Sequence, residues 1–422
     1  MNIAIISYFF NDHHAEGIVT AKLARALAEA GHSVSIFGNL IGNQNIIDAN
    51  INRIHCYKIK SHTPKWWDFL EKFSPANTIG KKILSVPRLI TYSSPSDFGW
   101  IINVKKSFIK AHQEQPFDLI HSRLNPHSSH QAALFIKKSY PNIPWCAYFS
   151  DPWPPHRLPA PYQSSIGALS KWRADNLMES FLEISGSNIF TTTYIRDYLL
   201  THKRLEYINK SFVAPHLSTY WETSKSYIKK DRLRFRHAGI INQHRNPNIL
   251  FDGVRQFLKK NKNAANIIRF EFIGRNNAGP DSDPLKVPED LKTIIHFYDQ
   301  ETLKKTWEWL VQADILLLLE FHFSKGIFFY AKLADYLHAR RPILALSPEK
   351  GVVADLFKEG GGKIAAPNNS EQIANTIGEI FTLWESENLE KITPNKFQAE
   401  KTYPDKIIPI YEKAFKTAIK NN

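Results

Sequence analysis

The sequence has 422 residues, of which 43% are hydrophobic and 22% charged, a balance that indicates a globular protein. The length exceeds one ordinary hydrophobic core and predicts two domains. The formal net charge of +14 favours anionic partners such as nucleotides or acidic lipid headgroups. The sequence lacks zinc-ligand spacing, RNA-binding aromatic signatures and helix-turn-helix patterns, so nucleic acid is not an expected partner.

The cysteine content and the apolar segments of the sequence predict a cytoplasmic protein. Cys56 and Cys146 are the only cysteines and stand far apart in sequence, which argues against a disulfide framework. The apolar start, 1–10, lacks a basic segment and is too short for a signal peptide. No apolar run reaches the roughly 18 residues that a membrane span needs.

The chain opens with a βαβ pattern. An apolar run at 2–7, a helical pattern at 18–30 and a second strand at 33–37 predict a parallel sheet with a right-handed crossover. The polar loop at 11–17 contains His13 and His14, but a structural metal site usually needs four ligands, so no metal is expected there. Further strands are predicted at 117–121, 145–149 and 188–192.

The segment 57–90 mixes basic and aromatic residues. It has seven Lys or Arg residues against two acids, a net charge of +5, with Trp66 and Trp67 side by side. Such a mixture is typical of a surface that meets an anionic bilayer. An insertion packed on the first domain explains the pattern equally well.

A second βαβ series begins at 234–239, after a polar stretch at 218–231 that is typical of a linker. Two doubly wound domains place a ligand in the cleft between them, at the carboxyl ends of their strands. The last stretch, 403–420, has helical spacing. Strands of this second series are predicted at 268–273, 293–298, 315–319, 342–346 and 362–365.

Several residues at these strand ends suit a phosphate group. Gly239 permits a tight turn after its strand, and Arg245 offers a planar fork of donors for phosphate oxygens. Lys332 and Asp335 share one face near the start of a helix, where a cation and free N–H groups attract phosphate and a carboxylate suits ribose hydroxyls. Solvated surface residues are the alternative explanation.

The stretch 331–345 resembles the Pro-x-Lys-x-x-Glu-Tyr-hydrophobic-Ala-x-Gly-Lys-Pro-hydrophobic motif of retaining glycosyltransferases of the GT-B fold, family 4. Asp335 matches the second acid of the family's Glu, seven residues, Glu motif, and Ile327 stands at the first. Tyr330 replaces the usual Pro, and Arg340 replaces the usual Gly.

The resemblance extends to other strand ends of the second half. Gly239 and Arg245 resemble the family's Gly, five residues, Lys segment, whose Lys holds the donor diphosphate. Gly274 corresponds to a turn near the nucleotide. Phe297 and Tyr298 correspond to a strand end whose backbone atoms read the base.

In the first half, 149–153 resembles the Phe-Arg-Asp-Pro-Trp segment of family members that act in surface polysaccharide synthesis. The resemblance implies that Asp151 orients an acceptor or donor-sugar hydroxyl, although Pro152 could equally make it a turn residue. Ser150 replaces the usual basic residue. Gly17 is the surviving glycine of the family's Gly-Gly loop, which approaches donor and acceptor.

The resemblance implies an α/β GT-B architecture, with Rossmann-like domains at 1–217 and 218–402 facing a cleft and a final helix, 403–422, crossing back to the first domain. It implies retaining transfer from a nucleotide diphosphate sugar to a saccharide or lipid-linked saccharide hydroxyl, in cell-surface polysaccharide synthesis. No metal or other cofactor is expected. Arg245 and Lys332 would neutralise the leaving diphosphate, and Asp335 would fix the ribose.

Alternatives stay open at this point. An epimerase or hydrolase of nucleotide sugars on the same fold would need an acid/base pair. Ile327 instead suggests a non-catalytic homologue that only binds nucleotide sugars. Asp281 and Asp283 match the metal-binding triplet of the other glycosyltransferase fold class, but Gly and Pro neighbours predict a surface loop. The sequence does not name the donor sugar, base, acceptor or linkage.

Overall fold

The structure is a computed structural model. By internal contacts the chain divides into two compact units, which we call unit 1 (1–215 and 404–422) and unit 2 (216–403). The structure describes residues 1–11, 14–39, 53–67, 69, 93–160, 163–201, 207–222, 231–241, 245, 247–276 and 285–422.

The described part of unit 1 contains one sheet of seven parallel strands in the order β3-β2-β1-β4-β5-β6-β7. From β1 the sheet extends on one side through β2 and β3 and on the other side through β4 to β7, so its switch point lies between β1 and β4. The edge strands β3 and β7 were not predicted, because one mixes polar and apolar residues and the other is only three residues long. The strands are β1 (Asn2–Ile6), β2 (Ser33–Asn39), β3 (Ile54–Ile59), β4 (Leu119–Arg123), β5 (Trp145–Phe149), β6 (Ser187–Phe190) and β7 (Ser211–Val213).

Helices connect these strands and cover the sheet. Central strands such as β4 and β5 are buried along their whole length, as expected for a parallel sheet covered on both faces. The helices are α1 (Ala15–Glu29), α2 (Pro95–Glu114), α3 (Ser128–Ser139), α4 (Ala168–Ile184) and α5 (Thr193–Leu199).

The described part of unit 2 contains a second parallel sheet, of six strands, in the order β10-β9-β8-β11-β12-β13. Its first strand, β8, pairs with β9 on one side and β11 on the other, so the switch point of the sheet lies between β8 and β11. The predicted bounds of β9, β11 and β13 are confirmed. The strands are β8 (Leu233–Ala238), β9 (Ile268–Ile273), β10 (Ile295–Tyr298), β11 (Ile315–Leu319), β12 (Ile343–Leu346) and β13 (Gly362–Ala365).

At both ends of the helix that follows β11, the backbone conformation suits the residue that is usual in the family motif. Its N-cap, Tyr330, has a φ of −65°, a conformation that proline also adopts. Its C-cap, Arg340, has a φ of 49° in the left-handed region that favours glycine. The helices of unit 2 are α6 (Asn248–Lys260), α7 (Leu303–Leu310), α8 (Ala331–Ala339), α9 (Val352–Phe357), α10 (Ser370–Glu385) and α11 (Lys396–Glu400).

The last helix, α12 (Pro404–Lys420), belongs to unit 1 and packs on β5 and β6. The chain before β6 approaches it closely, since a Cβ on Gly186 would lie 2.6 Å from the carbonyl oxygen of Ala418. Among the described residues, no helix is both long enough and apolar enough to span a bilayer.

The core of unit 2 includes a close contact between helices α6 and α10. Gly253 on α6 faces Ile373 on α10, and a Cβ on Gly253 would lie 2.6 Å from Ile373 Cγ2. On α10, a Cβ on Gly378 would lie 3.8 Å from Phe257, an ordinary contact. Glycine at position 253 therefore sets the distance between the two helices.

We predict that Gly253→Ala destabilises unit 2 although alanine favours a helix. Overpacking costs about 1–3 kcal/mol, which outweighs the gain of about 1 kcal/mol in helix propensity. The matched control, Gly378→Ala, should be neutral or stabilising by up to about 1 kcal/mol. Urea unfolding followed by circular dichroism measures both, and equal stability changes would contradict the packing argument.

Candidate functional site

Two glycines at neighbouring strand ends of unit 2 bring their backbones into contact. Gly239 follows β8 with a φ of +132°, and Gly274 follows β9 with a φ of +130°. A Cβ on Gly274 would lie 2.6 Å from the carbonyl oxygen of Gly239. Both positions therefore favour glycine, because their positive φ angles suit a residue without a Cβ. Their contact with a substrate stays a prediction.

Lys332, in the first turn of α8, extends to this edge of the sheet. Its Nζ lies 3.1 Å from His237 Nε2, and a Cβ on Gly239 would lie 2.6 Å from the same Nζ. Burial, and secondarily the nearby charge of Arg245, hold the pKa of the ammonium well below its ordinary value. An anion bound here would restore the charged form.

His237 accepts from this lysine rather than donating to it. Its Nδ1 lies 2.9 Å from the carbonyl oxygen of Leu317, which can only accept, so Nδ1 carries the proton. Burial holds the pKa of His237 well below its ordinary value, and Lys332 lowers it further. The imidazole is therefore neutral and orients the lysine. This residue was not predicted from the sequence.

Arg245 lies against two aromatic rings. Its guanidinium carbon is 5.0 Å from the ring centre of Phe321 and 5.3 Å from that of Tyr330. Such cation–π contacts hold a guanidinium in place without neutralising it. Because Arg245 also acts on the pKa of Lys332, the two predicted phosphate-binding cations lie close together. The charge of Arg245 therefore disfavours a second charge on Lys332.

The carboxylate of Asp335 already has a backbone partner. Its Oδ1 accepts a hydrogen bond of 2.7 Å from the amide of Thr219. The next residue, Tyr336, accepts from the amide of Ala238 and donates to the carbonyl of Leu317, so it ties α8 to β8 and β11. The hydrogen bond from Thr219 to Asp335 was not predicted from the sequence, and the ribose contact of Asp335 stays a prediction.

Glu320 is a second acid that the sequence analysis missed. It directly follows β11, is 4% exposed, and lies near the side chain of Ser347. Burial raises the pKa of Glu320 to about 8, against the opposing effects of Ser347 and Arg245. The signal was an acid immediately after a five-residue apolar strand at the switch point. Ile327, at the position of the family's first acid, is buried.

The proposed base-reading residues lie at the edge of the sheet in unit 2. Phe297 is half-buried and stacks on Phe272 at 4.9 Å between ring centres. Tyr298 ends β10 and is 46% exposed. Phe297 therefore has a packing role of its own, and its contact with a nucleotide base remains a prediction.

In unit 1, Asp151 belongs to a small polar cluster that follows β5. Its Oδ2 accepts from Asn125 Nδ2 at 3.3 Å and from Ser150 Oγ at 3.2 Å. Its charge also raises the pKa of a neighbouring acid, Glu16. Two carboxyl groups therefore interact at this end of the sheet.

Glu16 and Arg123 form a buried ion pair, with 2.7 Å between Arg123 Nε and Glu16 Oε1. Burial raises the pKa of Glu16 to about 7 although Arg123 opposes the rise. The next residue, Gly17, is approached so closely that a Cβ would lie 2.2 Å from the carbonyl oxygen of Asn11. Gly17 thus has a structural reason to be glycine, and its approach to a substrate stays a prediction.

Metal ligands do not gather in the described part of the chain, where no three His, Cys, Asp or Glu side chains form a group. His13, Asp281 and Asp283 lie outside the described residues. The predictions made for them are therefore not tested by the structure.

No protein-family model matches this sequence. A search of curated proteins also found no match. Solved structures do match over nearly the whole chain. A lipopolysaccharide outer core galactosyltransferase, WaaB, has a TM-score of 0.55 at 12% identity, covering 98% of this chain and 99% of its own. The trehalose-6-phosphate synthase OtsA has a TM-score of 0.62 at 13% identity, covering 100% and 99%.

A third similar structure is a putative UDP-N-acetylglucosamine 2-epimerase from Listeria monocytogenes, with a TM-score of 0.55 at 13% identity, covering 99% of this chain and 97% of its own. Together with the two parallel sheets, these similarities decide the architecture. The chain has the GT-B fold. The predicted fold class is confirmed, and at these identities the similarity establishes fold alone.

Proposed function

We propose that this protein is a retaining glycosyltransferase that moves a sugar from a nucleotide diphosphate sugar to a hydroxyl of a saccharide or lipid-linked saccharide. The observation that carries the proposal is the pair of neighbouring cations, Arg245 and Lys332, at the switch point of unit 2. Among similar structures, one trehalose-6-phosphate protein is bound with UDP-2-fluoro glucose, which supports a nucleotide-sugar donor. The galactosyltransferase of the lipopolysaccharide outer core supports a role in cell-surface polysaccharide synthesis.

In the proposed reaction the bond between the anomeric carbon and the diphosphate oxygen breaks, and the acceptor oxygen bonds to that carbon. The acceptor proton leaves with the diphosphate. Arg245 and Lys332 stabilise the charge that develops on the leaving group, which is the main electrostatic contribution. Asp335 binds the ribose, and Asp151 orients a sugar hydroxyl. No covalent nucleophile is invoked.

We predict that Arg245→Ala and Lys332→Ala each weaken nucleoside diphosphate binding. Charge-assisted hydrogen bonds contribute about 1.5–3 kcal/mol, so affinity should fall on the order of ten- to a hundredfold. Calorimetry with UDP, ADP and GDP measures the change. Lys305→Ala, which removes a surface lysine that is 66% exposed, is the matched control. Unchanged affinity in both Arg245→Ala and Lys332→Ala would contradict the proposed diphosphate site.

A second prediction follows from the lowered pKa of Lys332. A bound diphosphate favours the ammonium form and raises this pKa, so binding should take up protons and weaken as pH rises. Titration in buffers of different ionisation enthalpy should show net proton uptake that Lys332→Met reduces. Binding enthalpies that do not depend on the buffer would contradict this account of Lys332.

Transfer is proposed to need no metal, since two basic side chains can stabilise the leaving group. Activity should therefore persist in EDTA with any acceptor that supports turnover. Activity lost in EDTA and restored by magnesium or manganese would assign a metal role, and Asp281 and Asp283 would be the first carboxylates to substitute.

We also propose that the basic segment, 57–90, holds the enzyme at the anionic inner face of the membrane. Trp66 is 42% exposed and Phe69 62% exposed, whereas Trp67 is buried at 1%. Of the two adjacent tryptophans, only Trp66 is therefore available to contact a bilayer, because Trp67 packs inside the protein. The contact would use Trp66 and Phe69, together with basic residues of which 72, 81, 82 and 88 lie outside the described residues.

Vesicle co-sedimentation tests the membrane proposal. Each Lys or Arg near an anionic leaflet contributes about 1 kcal/mol, and salt screens that attraction. Binding should require anionic lipid, fall at high salt, and be lost when Lys65, Lys72, Lys81 and Lys82 become Glu. Equal binding to neutral vesicles would leave 57–90 as a packed insertion.

A specific observation supports a second candidate, a nucleotide-sugar epimerase or hydrolase. Glu16, whose pKa is raised to about 7, interacts with Asp151, and such a pair suits proton transfer. One similar structure is a putative UDP-N-acetylglucosamine 2-epimerase. Conversion of a nucleotide sugar without any acceptor would favour this candidate. Tight binding with no turnover would instead favour a non-catalytic role, for which Ile327 is the motivation.

A further inference from the structure

The carboxyl group of Glu320 is buried without full hydrogen bonding. Its Oε1 has no partner in the described part of the chain and almost no exposed surface. Buried polar atoms are nearly always paired in native proteins. An unpaired carboxyl oxygen at a strand end therefore points to a ligand that completes it.

The space beside this carboxyl is kept open by a glycine. A Cβ on Gly326 would lie 3.3 Å from Glu320 Oε2 and 3.7 Å from Pro348 Cδ. The amide of Gly326 donates to the carbonyl of Lys350, which ties this loop to the segment before α9. Any larger residue at 326 would crowd Glu320.

Pro348 also lines a polar cavity of about 700 Å³ in unit 2. Its other walls come from three segments, 322–324, 349–350 and 366–372, together with Gln256. The volume is within the range of roughly 300–1,000 Å³ that small-molecule sites occupy. Pro348 thus adjoins both Gly326 and the cavity, whose lining also includes part of the loop that follows β11.

The neighbourhood of Arg245 identifies the kind of group that Glu320 can bind. If Arg245 holds the diphosphate, an ionised Glu320 beside it would repel that diphosphate. A sugar hydroxyl, in contrast, donates to a carboxylate and accepts from a carboxylic acid, so it fits either protonation state. The sugar is covalently attached to the diphosphate and so lies within reach of the same loop.

We propose that Glu320 is a specificity-determining residue that hydrogen-bonds a hydroxyl of the donor sugar, with Gly326 leaving the room that this contact needs. The proposal rests on the proposed function, because it takes Arg245 as the diphosphate contact. The family motif would place its first acid at position 327, which is Ile in this chain. The proposal instead assigns sugar recognition to an acid seven residues earlier in the sequence.

Calorimetry with a nucleoside diphosphate and its sugar conjugate tests the proposal. The probes are UDP, ADP and GDP and their glucose conjugates, and the best-binding pair is used for all variants. Glu320→Leu should lower affinity for the sugar conjugate roughly tenfold or more, while changing affinity for the nucleoside diphosphate by less than about twofold. Glu320→Gln keeps both donor and acceptor and should bind the conjugate almost as the wild type does.

Gly326→Ala tests the same contact by crowding the Glu320 carboxyl, and it should also weaken binding of the sugar conjugate alone. This variant replaces Glu320→Leu if thermal unfolding shows that Glu320→Leu does not fold. Glu390→Gln, at an exposed carboxylate, is the charge-matched control and should change neither affinity.

The outcomes separate the two levels of the account. A wild type that binds none of the probes overturns the proposed function, and this proposal with it. A wild type that binds, with variants that weaken both ligands equally or neither, overturns only the role of Glu320. A loss confined to the sugar conjugate supports it.

Discussion

The burial of Lys332 against His237 and Gly239 is the constraint around which the candidate site of unit 2 is organised. Desolvating an ammonium group costs several kcal/mol unless a partner compensates, and here its hydrogen-bond partner is a neutral imidazole. The charge of Arg245 nearby further disfavours the ammonium form of Lys332. Such a site is electrostatically incomplete until an anion arrives. Gly239 must be glycine because the lysine occupies the space where a Cβ would lie.

Unit 1 places a different chemistry at the end of its own sheet. There a buried acid, Glu16, is paired with Arg123 and coupled to Asp151. Burial and pairing act on the Glu16 carboxyl in opposite directions, and burial prevails. Unit 2 thus gathers basic side chains at the end of its sheet, and unit 1 gathers carboxyl groups at the end of its own.

The sequence predicted the sheet of unit 2 well because its strands are continuous apolar runs between turn signals, as in β9 and β11. The structure places Lys332 beside Gly239 and near Arg245, while their predicted role in substrate binding stays a prediction. These residues could be found because each lies at a fixed offset from a strand end.

Other features could not be read from local patterns. The bond from Thr219 to Asp335 joins residues over a hundred positions apart in sequence, and so does the pair of Glu16 and Arg123. Trp67 looked equivalent to Trp66, yet only one of them is exposed, because neighbouring side chains face different directions. Burial of Glu320 could likewise not be read from the sequence, where it directly follows a strand.

Hydrogen exchange measured by mass spectrometry tests the central claim most directly. The protein would be compared with and without a saturating concentration of the nucleotide sugar that binds it best. The account predicts protection concentrated in unit 2, in peptides that contain 239–245 and 320–335, and reduced protection of both in Lys332→Ala. Protection confined to unit 1, or equal in the wild type and Lys332→Ala, would contradict a donor site built on these cations.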